Sequence, residues 1–294
     1  MNFEQTMTAC GLMPKFIQAD GKWRRCATQD HPKKRNGAYV LYPDGRGYWR
    51  NWATDAGVNS WRPDESSQAP KIDFDAIRRQ QEADRKRRIE AIHAARRFFA
   101  QAQPARGVHP YLDRKGLSSV GCTGLRVYSG KLVVPVYWDD RIISLQTIDA
   151  DGNKRFWPGA PVKAGAYIIQ RPKSAVTAVC EGLATGLAIY QSIPTATVIV
   201  AFDAGNLAPV VERLRPRGNV ILCADNDHAT EQRTGTNPGL VRATHAAGLI
   251  GAGVAYPEGI EGTDWADALK EIGEGAKRKI ERQILANSRY VTMT

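Results

Sequence analysis

From Lys173 onward, strand-length apolar runs alternate with helical segments, and this rhythm restricts the possible folds more than any other feature of the chain. Residues 175–180, 197–202, 220–223 and 253–256 read as strands, and 183–191, 207–214, 239–248 and 265–272 read as helices. Parallel strands need crossover connections, so the pattern predicts a parallel sheet with helices on its faces and a ligand site at the carboxyl ends of the strands. Three of those ends carry acid. Glu181 directly follows the first strand, Asp225 and Asp227 follow the third, and Asp264 and Asp267 follow the last strand and its turn at 259–262. A single Asp or Glu in such a place is ordinarily a turn residue or a helix cap, and Asp264, just before Trp265, suits an N-cap. Carboxylates crowded on one rim repel one another unless a cation neutralises them, and oxygen donors without Cys or His favour Mg²⁺ or Mn²⁺ over zinc.

The 294 residues carry 41 Lys plus Arg against 30 Asp plus Glu, a formal net charge of +11 that points to a polyanionic partner. This length suits about two compact units. No stretch approaches the roughly 18 consecutive apolar residues of a spanning helix, and residues 1–16 lack the pattern of a secretory leader. The expectation is a cytoplasmic protein with no membrane partner. Five scattered Cys without a C-x-x-C pair argue for reduced thiols and against both a disulfide framework and a zinc site.

Upstream, residues 1–62 combine aromatics with turn chemistry such as Pro43-Asp44-Gly45 and predict a small β module. Residues 63–104 read as a polar linker at 63–70 followed by a helix over 73–101. Between Asp75 and Arg97 that helix carries eight basic residues against four acidic ones, either a solvated face or one that tracks phosphate. Residues 105–172 read as mostly β, with strands at 132–137, 142–148 and 167–170; residues 173–272 hold the alternating sheet, and 273–294 form a helix or tail. Lys154 and Arg155, read as a turn, are the first choices for contacting the phosphates of a polyanion, with Lys131, Arg141, Arg114 and Lys115 behind them. Asp203 and Asn206 suit either a pocket lining or a loop and helix cap.

The segments Val-Cys-Glu-Gly-Leu-Ala-Thr-Gly-Leu at 179–187, Ala-Asp-Asn-Asp at 224–227 and Thr-Asp-Trp-Ala-Asp at 263–267 resemble the three acidic motifs of the TOPRIM (topoisomerase-primase) domain in order and spacing. The Glu-Gly-x-Ala-Thr-Gly form is similar to that of primases carried by plasmids, phages and mobile elements. Residues 109–116, 131–136 and 145–156 resemble the subdomain that precedes TOPRIM in those enzymes. The resemblance implies a DNA primase that makes short RNA primers on single-stranded DNA from ribonucleoside triphosphates, by metal-dependent nucleotidyl transfer. It implies catalytic roles for Glu181, Asp225 and Asp227, a Mg²⁺ or Mn²⁺ ligand set of these three with Asp264 and Asp267, and nucleotide or template binding by Lys154, Arg155, Lys131 and Arg141.

Residues 21–26 and 33–40 resemble the zinc ribbon at the front of such primases, yet Cys26 and His31 supply at most two of the four ligands a structural zinc needs. A zinc-free relic is expected, touching DNA through Lys33, Lys34, Arg35 and Trp49. The chain has no Gly-x-x-x-x-Gly-Lys-Ser/Thr loop, so unwinding is assigned to a separate replicative helicase. The remaining alternatives are a TOPRIM nuclease and a catalytically idle relative that only binds nucleic acid or protein. A topoisomerase would need strand-gate domains for which 294 residues leave no room.

Overall fold

The computed structural model describes residues 1–63, 74–106, 109–120, 122 and 124–292, so nearly all of the expected linker lies outside the described residues. The chain divides into two compact units, Met1–Arg85 and Lys86–Thr294. In the first, α1 (Phe3–Ala9) packs on an antiparallel sheet whose strands lie in sequence order: β1 (Leu12–Met13), β2 (Arg24–Thr28), β3 (Gly37–Leu41), β4 (Gly47–Asn51) and β5 (Asn59–Trp61). Phe3, Met7, Leu12, Cys26, Tyr39, Leu41 and Trp49 form its core. The β3–β4 hairpin closes at Pro43-Asp44-Gly45, where Gly45 takes the left-handed conformation (φ +85°) that a side chain would resist. Gly47 has a different reason to be glycine, because a Cβ there would lie 2.3 Å from the Phe3 ring.

The second unit contains two sheets. The helix α2 (Phe74–Gln101) buries Ala95 and Phe99, together with Ala102, against Val133 and Leu145. Those two residues belong to an antiparallel sheet ordered β10-β9-β8-β7-β6, from β6 (Gln103–Pro104), β7 (Arg126–Tyr128), β8 (Lys131–Trp138), β9 (Arg141–Ile148) and β10 (Lys154–Phe156), with α3 (Pro110–Arg114) between β6 and β7. The opposite face of β8 and β9, with Leu132, Val134, Val136 and Ile148, enters the core shared with the next sheet. Burial on both faces explains why this segment reads as a continuous apolar run rather than an alternating one. Lys154 and Arg155 are not a turn; they pair with Ile148 and Thr147.

The next sheet has six strands: β11 (Tyr167–Ile169), β12 (Val176–Cys180), β13 (Ala196–Val200), β14 (Gly218–Cys223), β15 (Gly253–Ala255) and β16 (Arg289–Val291). Its helices are α4 (Leu183–Ser192), α5 (Leu207–Leu214), α6 (His228–Thr234), α7 (Pro238–Ile250), α8 (Trp265–Ile272) and α9 (Ala276–Asn287). β12 to β15 are parallel, in the order β13-β12-β14-β15. The sheet is nevertheless mixed, because β11 runs antiparallel beside β13 and β16 antiparallel beside β14. Residues 167–169 therefore pair with this sheet and not with the preceding one, and the tail ends in a strand. Three residues are too few to display a period, so neither assignment carries a local signal.

Residues of α4, α8 and α9 share the core on one face, and those of α5 and α7 the core on the other. Helix α4 is buried at nine of its ten residues, and Gly186 lets it lie close to the sheet: a Cβ there would come 2.8 Å from Val200 Cγ2. No helix among the described residues is long and apolar enough to cross a membrane.

Gly253 is the tightest glycine, since a Cβ would fall 1.7 Å from the Asn287 carbonyl oxygen, where α9 turns into β16. We expect Gly253→Ala to cost about 3 kcal/mol or more in urea unfolding, because backbone cannot yield as a side chain does. Gly248→Ala, facing open space within α7, should instead be neutral or stabilising by about 0.5–1 kcal/mol.

Candidate active site at the strand tips

Cys180 and Cys223 are register partners on the adjacent parallel strands β12 and β14. The next residues of each chain segment therefore leave the sheet side by side, about 4.8 Å apart in backbone spacing, and bring Glu181 close to Asp225. Burial pushes the Asp225 carboxyl up to about 7, reinforced by the charges of Glu181 and Asp264. Burial likewise raises Glu181, followed by the charges of Asp227 and of Asp203 from the tip of β13. Glu181 and Asp225 thus sit on a rim where burial and the charges of neighbouring carboxylates both oppose their ionisation.

Several polar groups set their positions. Thr185, one turn into α4 and itself buried, donates Oγ1–H to Asp225 Oδ1 at 3.0 Å. Asp227 Oδ2 accepts the Gly239 amide at 3.1 Å, and Asp227 N donates to Asn237 Oδ1 at 3.3 Å. The buried Asn237 side chain also donates to Asn226 Oδ1 at 3.0 Å, and the Asn226 amide donates to the Thr263 carbonyl at 2.7 Å. Beneath the loop, the fully buried Trp265 donates Nε1–H to the Ala224 carbonyl at 3.1 Å. Neither Thr185 nor Asn237 was a sequence candidate. Thr185 lies in the Glu-Gly-x-Ala-Thr-Gly motif four residues after Glu181, a helical spacing that aims it back at the rim.

Only some of the expected basic residues reach this rim. Lys154 Nζ lies 3.7 Å from where a Cβ on Gly182 would sit, and its charge favours the ionised forms of Glu181 and Asp225. Two residues on, Phe156 meets Phe202 with ring centroids 6.0 Å apart, which sets this face of β10 toward the strand tips. Arg155 takes the opposite face of the strand and is exposed. Arg141 sits at the far end of the β8–β9 hairpin, roughly 20 Å at 3.3 Å per residue from the Ile148 end that pairs with Lys154, whereas Lys131 adjoins that end but on the opposite face of β8 from Leu132. Asn206 is a structural clamp: buried, it donates to the Ala201 and Gly165 carbonyls at 2.7 and 3.0 Å and accepts the Ala164 amide at 2.6 Å.

Asp264 and Asp267 are placed differently from the expected metal ligands. Asp264 is the N-cap of α8, forms a capping box with Asp267, and both carboxylates bind the Lys115 ammonium, at 3.0 and 2.6 Å. In the first unit, Lys33, Lys34 and Arg35 are exposed in the β2–β3 loop, but Trp49 is only 6% exposed and packs edge-on against Phe3. The expectation of Trp49 at a DNA surface is corrected by parity. It pairs with the buried Tyr39, whereas Trp52 is 54% exposed with the guanidiniums of Arg50 and Arg25 at 4.0 and 5.5 Å from its ring.

The donor chemistry of the rim suits a hard divalent cation, since it consists of carboxylate oxygens in a half-buried, mutually repelling set. The expected five-carboxylate ligand set is not gathered, however: among the described residues no three His, Cys, Asp or Glu side chains converge as a metal site. Cys26 is buried and His31 exposed in the amino-terminal unit.

Residues 176–275 match the Toprim domain family, which places the acidic rim within a Toprim domain. The chain is 31% identical over 257 residues to a DNA primase TraC of Escherichia coli, an alignment covering 81% of this chain and 24% of that protein. A second Escherichia coli DNA primase TraC is 27% identical over 257 residues, covering 81% of this chain and 18% of its own length. The chain therefore spans a quarter or less of the length of these relatives, and the resemblance to Toprim-domain primases read from its motifs is borne out. Among solved structures, the DnaG primase catalytic domain bound to ssDNA aligns with 71% of this chain and 81% of its own, at 13% identity and a TM-score of 0.48. The primase fragment of the bacteriophage T7 primase-helicase protein aligns with 62% and 78%, at 17% identity and a TM-score of 0.44.

Because Asp225 holds its proton to about pH 7 when folded, against an ordinary value of 3.8, the native state binds more protons than the unfolded chain between those values. Its contribution to stability is intact below about pH 4 and is lost as pH rises through 7. Without divalent cations, Asp225→Asn should exceed the native chain in stability at pH 8 by on the order of 2–4 kcal/mol and match it near pH 4. Urea unfolding in a chelator at both pH values measures the difference.

Proposed function

We propose that this chain carries the catalytic core of a DNA primase, joining ribonucleotides into short RNA primers on single-stranded DNA. The observation that carries the reading is the half-buried pair Glu181 and Asp225 on neighbouring strand tips, faced by Lys154 from a second sheet. Two half-buried carboxylates this close are costly to hold together, and a phosphoryl-transfer site that binds a divalent cation is a use that offsets the cost. The similarity to DNA primase TraC supports the assignment of the nucleic-acid reaction.

In this reading Asp225 and Asp227 would hold Mg²⁺ or Mn²⁺, which supplies activation of the attacking hydroxyl and neutralisation of the triphosphate. Glu181, its proton affinity raised by burial, takes the proton of the 3′-hydroxyl as that oxygen bonds to the α-phosphorus and pyrophosphate leaves. Thr185 keeps Asp225 turned toward the rim through its hydrogen bond. Lys154 brings positive charge to the phosphates from the opposing sheet. Template bases stack on Trp52, flanked by Arg25 and Arg50, while Lys33, Lys34 and Arg35 meet the backbone phosphates. Unwinding is left to a separate replicative helicase.

Incubating the chain with single-stranded DNA, Mg²⁺ or Mn²⁺ and labelled ribonucleotides tests the reading. Short template-dependent RNA is expected, reduced about 100-fold or more by Glu181→Gln or Asp225→Asn. Cleaved DNA without synthesis would reassign the rim to a nuclease, and neither product would leave a binding protein. For the amino-terminal unit, Trp52→Ala should weaken single-stranded DNA binding about 5- to 100-fold in fluorescence anisotropy with the fold intact. Trp49→Ala should instead lower the unfolding midpoint, as loss of a core aromatic does.

A further inference from the structure

The pair Asp264 and Asp267 has every carboxylate oxygen occupied. Asp264 Oδ1 accepts the Asp267 amide at 2.8 Å and Oδ2 accepts Lys115 Nζ at 3.0 Å. Asp267 Oδ1 accepts Lys115 Nζ at 2.6 Å, and Oδ2 accepts the amides of Thr263 and Asp264 at 3.1 and 3.3 Å. Each carboxylate thus spends one oxygen on the α8 cap and the other on a single ammonium. Lys115 comes from a distant stretch of sequence, at the C-cap of α3, and a second contact from Lys270 Nζ to the Arg114 carbonyl at 3.4 Å joins the same two helices. Burial opposes the lysine charge, yet the hydrogen bond it donates to Asp267 and the charges of both carboxylates outweigh it and push Lys115 up to about 12. The charge of Asp264 is felt at Asp225, so one of the two carboxylates that this ammonium neutralises adjoins the Asp225 side of the rim.

We infer that Lys115 occupies the place of a second cation at the acidic rim, so that Asp264 and Asp267 bind no metal ion and the divalent cation is confined to the Asp225 side. The inference rests on the reading of Asp225 and Asp227 as metal-holding residues. A resident ammonium neutralises two carboxylates without the dehydration that Mg²⁺ resists, and it makes closure of α3 onto α8 a condition of the rim's charge balance. Lys115 is in these terms a positioning residue.

Titrating Mn²⁺ into the full chain without nucleotide or DNA, with free Mn²⁺ counted by electron paramagnetic resonance, decides the matter. Lys115→Met is expected to bind one more Mn²⁺ per chain than the native protein, and Lys115→Arg the same number as the native protein. Asp264→Asn, which preserves an N-cap, should also leave the native number unchanged. An equal count for native and Lys115→Met chains, or the loss of a metal ion in Asp264→Asn, would overturn the proposal. Should Lys115→Met fail to fold, the Asp264→Asn count still decides. Failure of the underlying reading appears separately, as an Asp225→Asn chain that binds as many Mn²⁺ ions as the native one.

Discussion

The repulsion between Glu181 and Asp225 is the interaction around which the second unit is organised. It follows from one register pairing, Cys180 opposite Cys223, because parallel strands that end level release their next residues at the same height. Burial then amplifies the repulsion, lifting Asp225 to about 7. Nearly everything close by either holds these carboxylates in place or opposes their charge. Thr185 and Gly239 donate hydrogen bonds to Asp225 and Asp227, Asn237 and Trp265 tie down the loop that carries them, and Lys154 faces Glu181 and Asp225.

The cations near this rim come from outside the parallel strands. Lys154 lies on an edge strand of the antiparallel sheet, and Lys115 lies at the end of α3, a helix that connects two strands of that same sheet. The shared core explains how the two sheets hold such contacts, because Leu132, Val134, Val136 and Ile148 are buried in one cluster with Cys180, Leu183 and Leu187. Apolar burial supplies the cohesion, and the charged contacts at the rim set the relative position of the carboxylates and ammonium groups. An acidic rim on the parallel sheet is thus met by basic side chains carried by the antiparallel one.

Much of this architecture was legible along the chain. The alternating apolar runs after Lys173 mark four parallel strands with their helices, and the Glu-Gly, Asp-x-Asp and Asp-Trp-Ala-Asp segments mark the strand ends. What escaped detection has definite causes. The strand expected at 167–170 is present but joins the later sheet, a pairing its few residues do not encode, the strand at 289–291 is too short to show a period, and Lys154-Arg155 in strand form looks the same as a turn after Asp151-Gly152-Asn153. Trp49 was readable in principle. Its place opposite Tyr39 puts it inside, and the next aromatic, Trp52, lies beyond the end of β4 on the exposed side.

The sequence by itself determined which residues stand at the strand tips, because local periodicity sets where each strand ends and which residue follows. It also determined the excess of basic over acidic side chains and the residue types available as metal ligands. Only the tertiary structure decided how those tip residues divide. Lys115 is 149 residues from Asp264 and 152 from Asp267, and no local pattern encodes a contact across such distances. Docking of α3 on α8 brings the ammonium to two carboxylates, and that contact separates them from Glu181, Asp225 and Asp227. A carboxylate's role depends on which charge reaches it first, and folding sets that order.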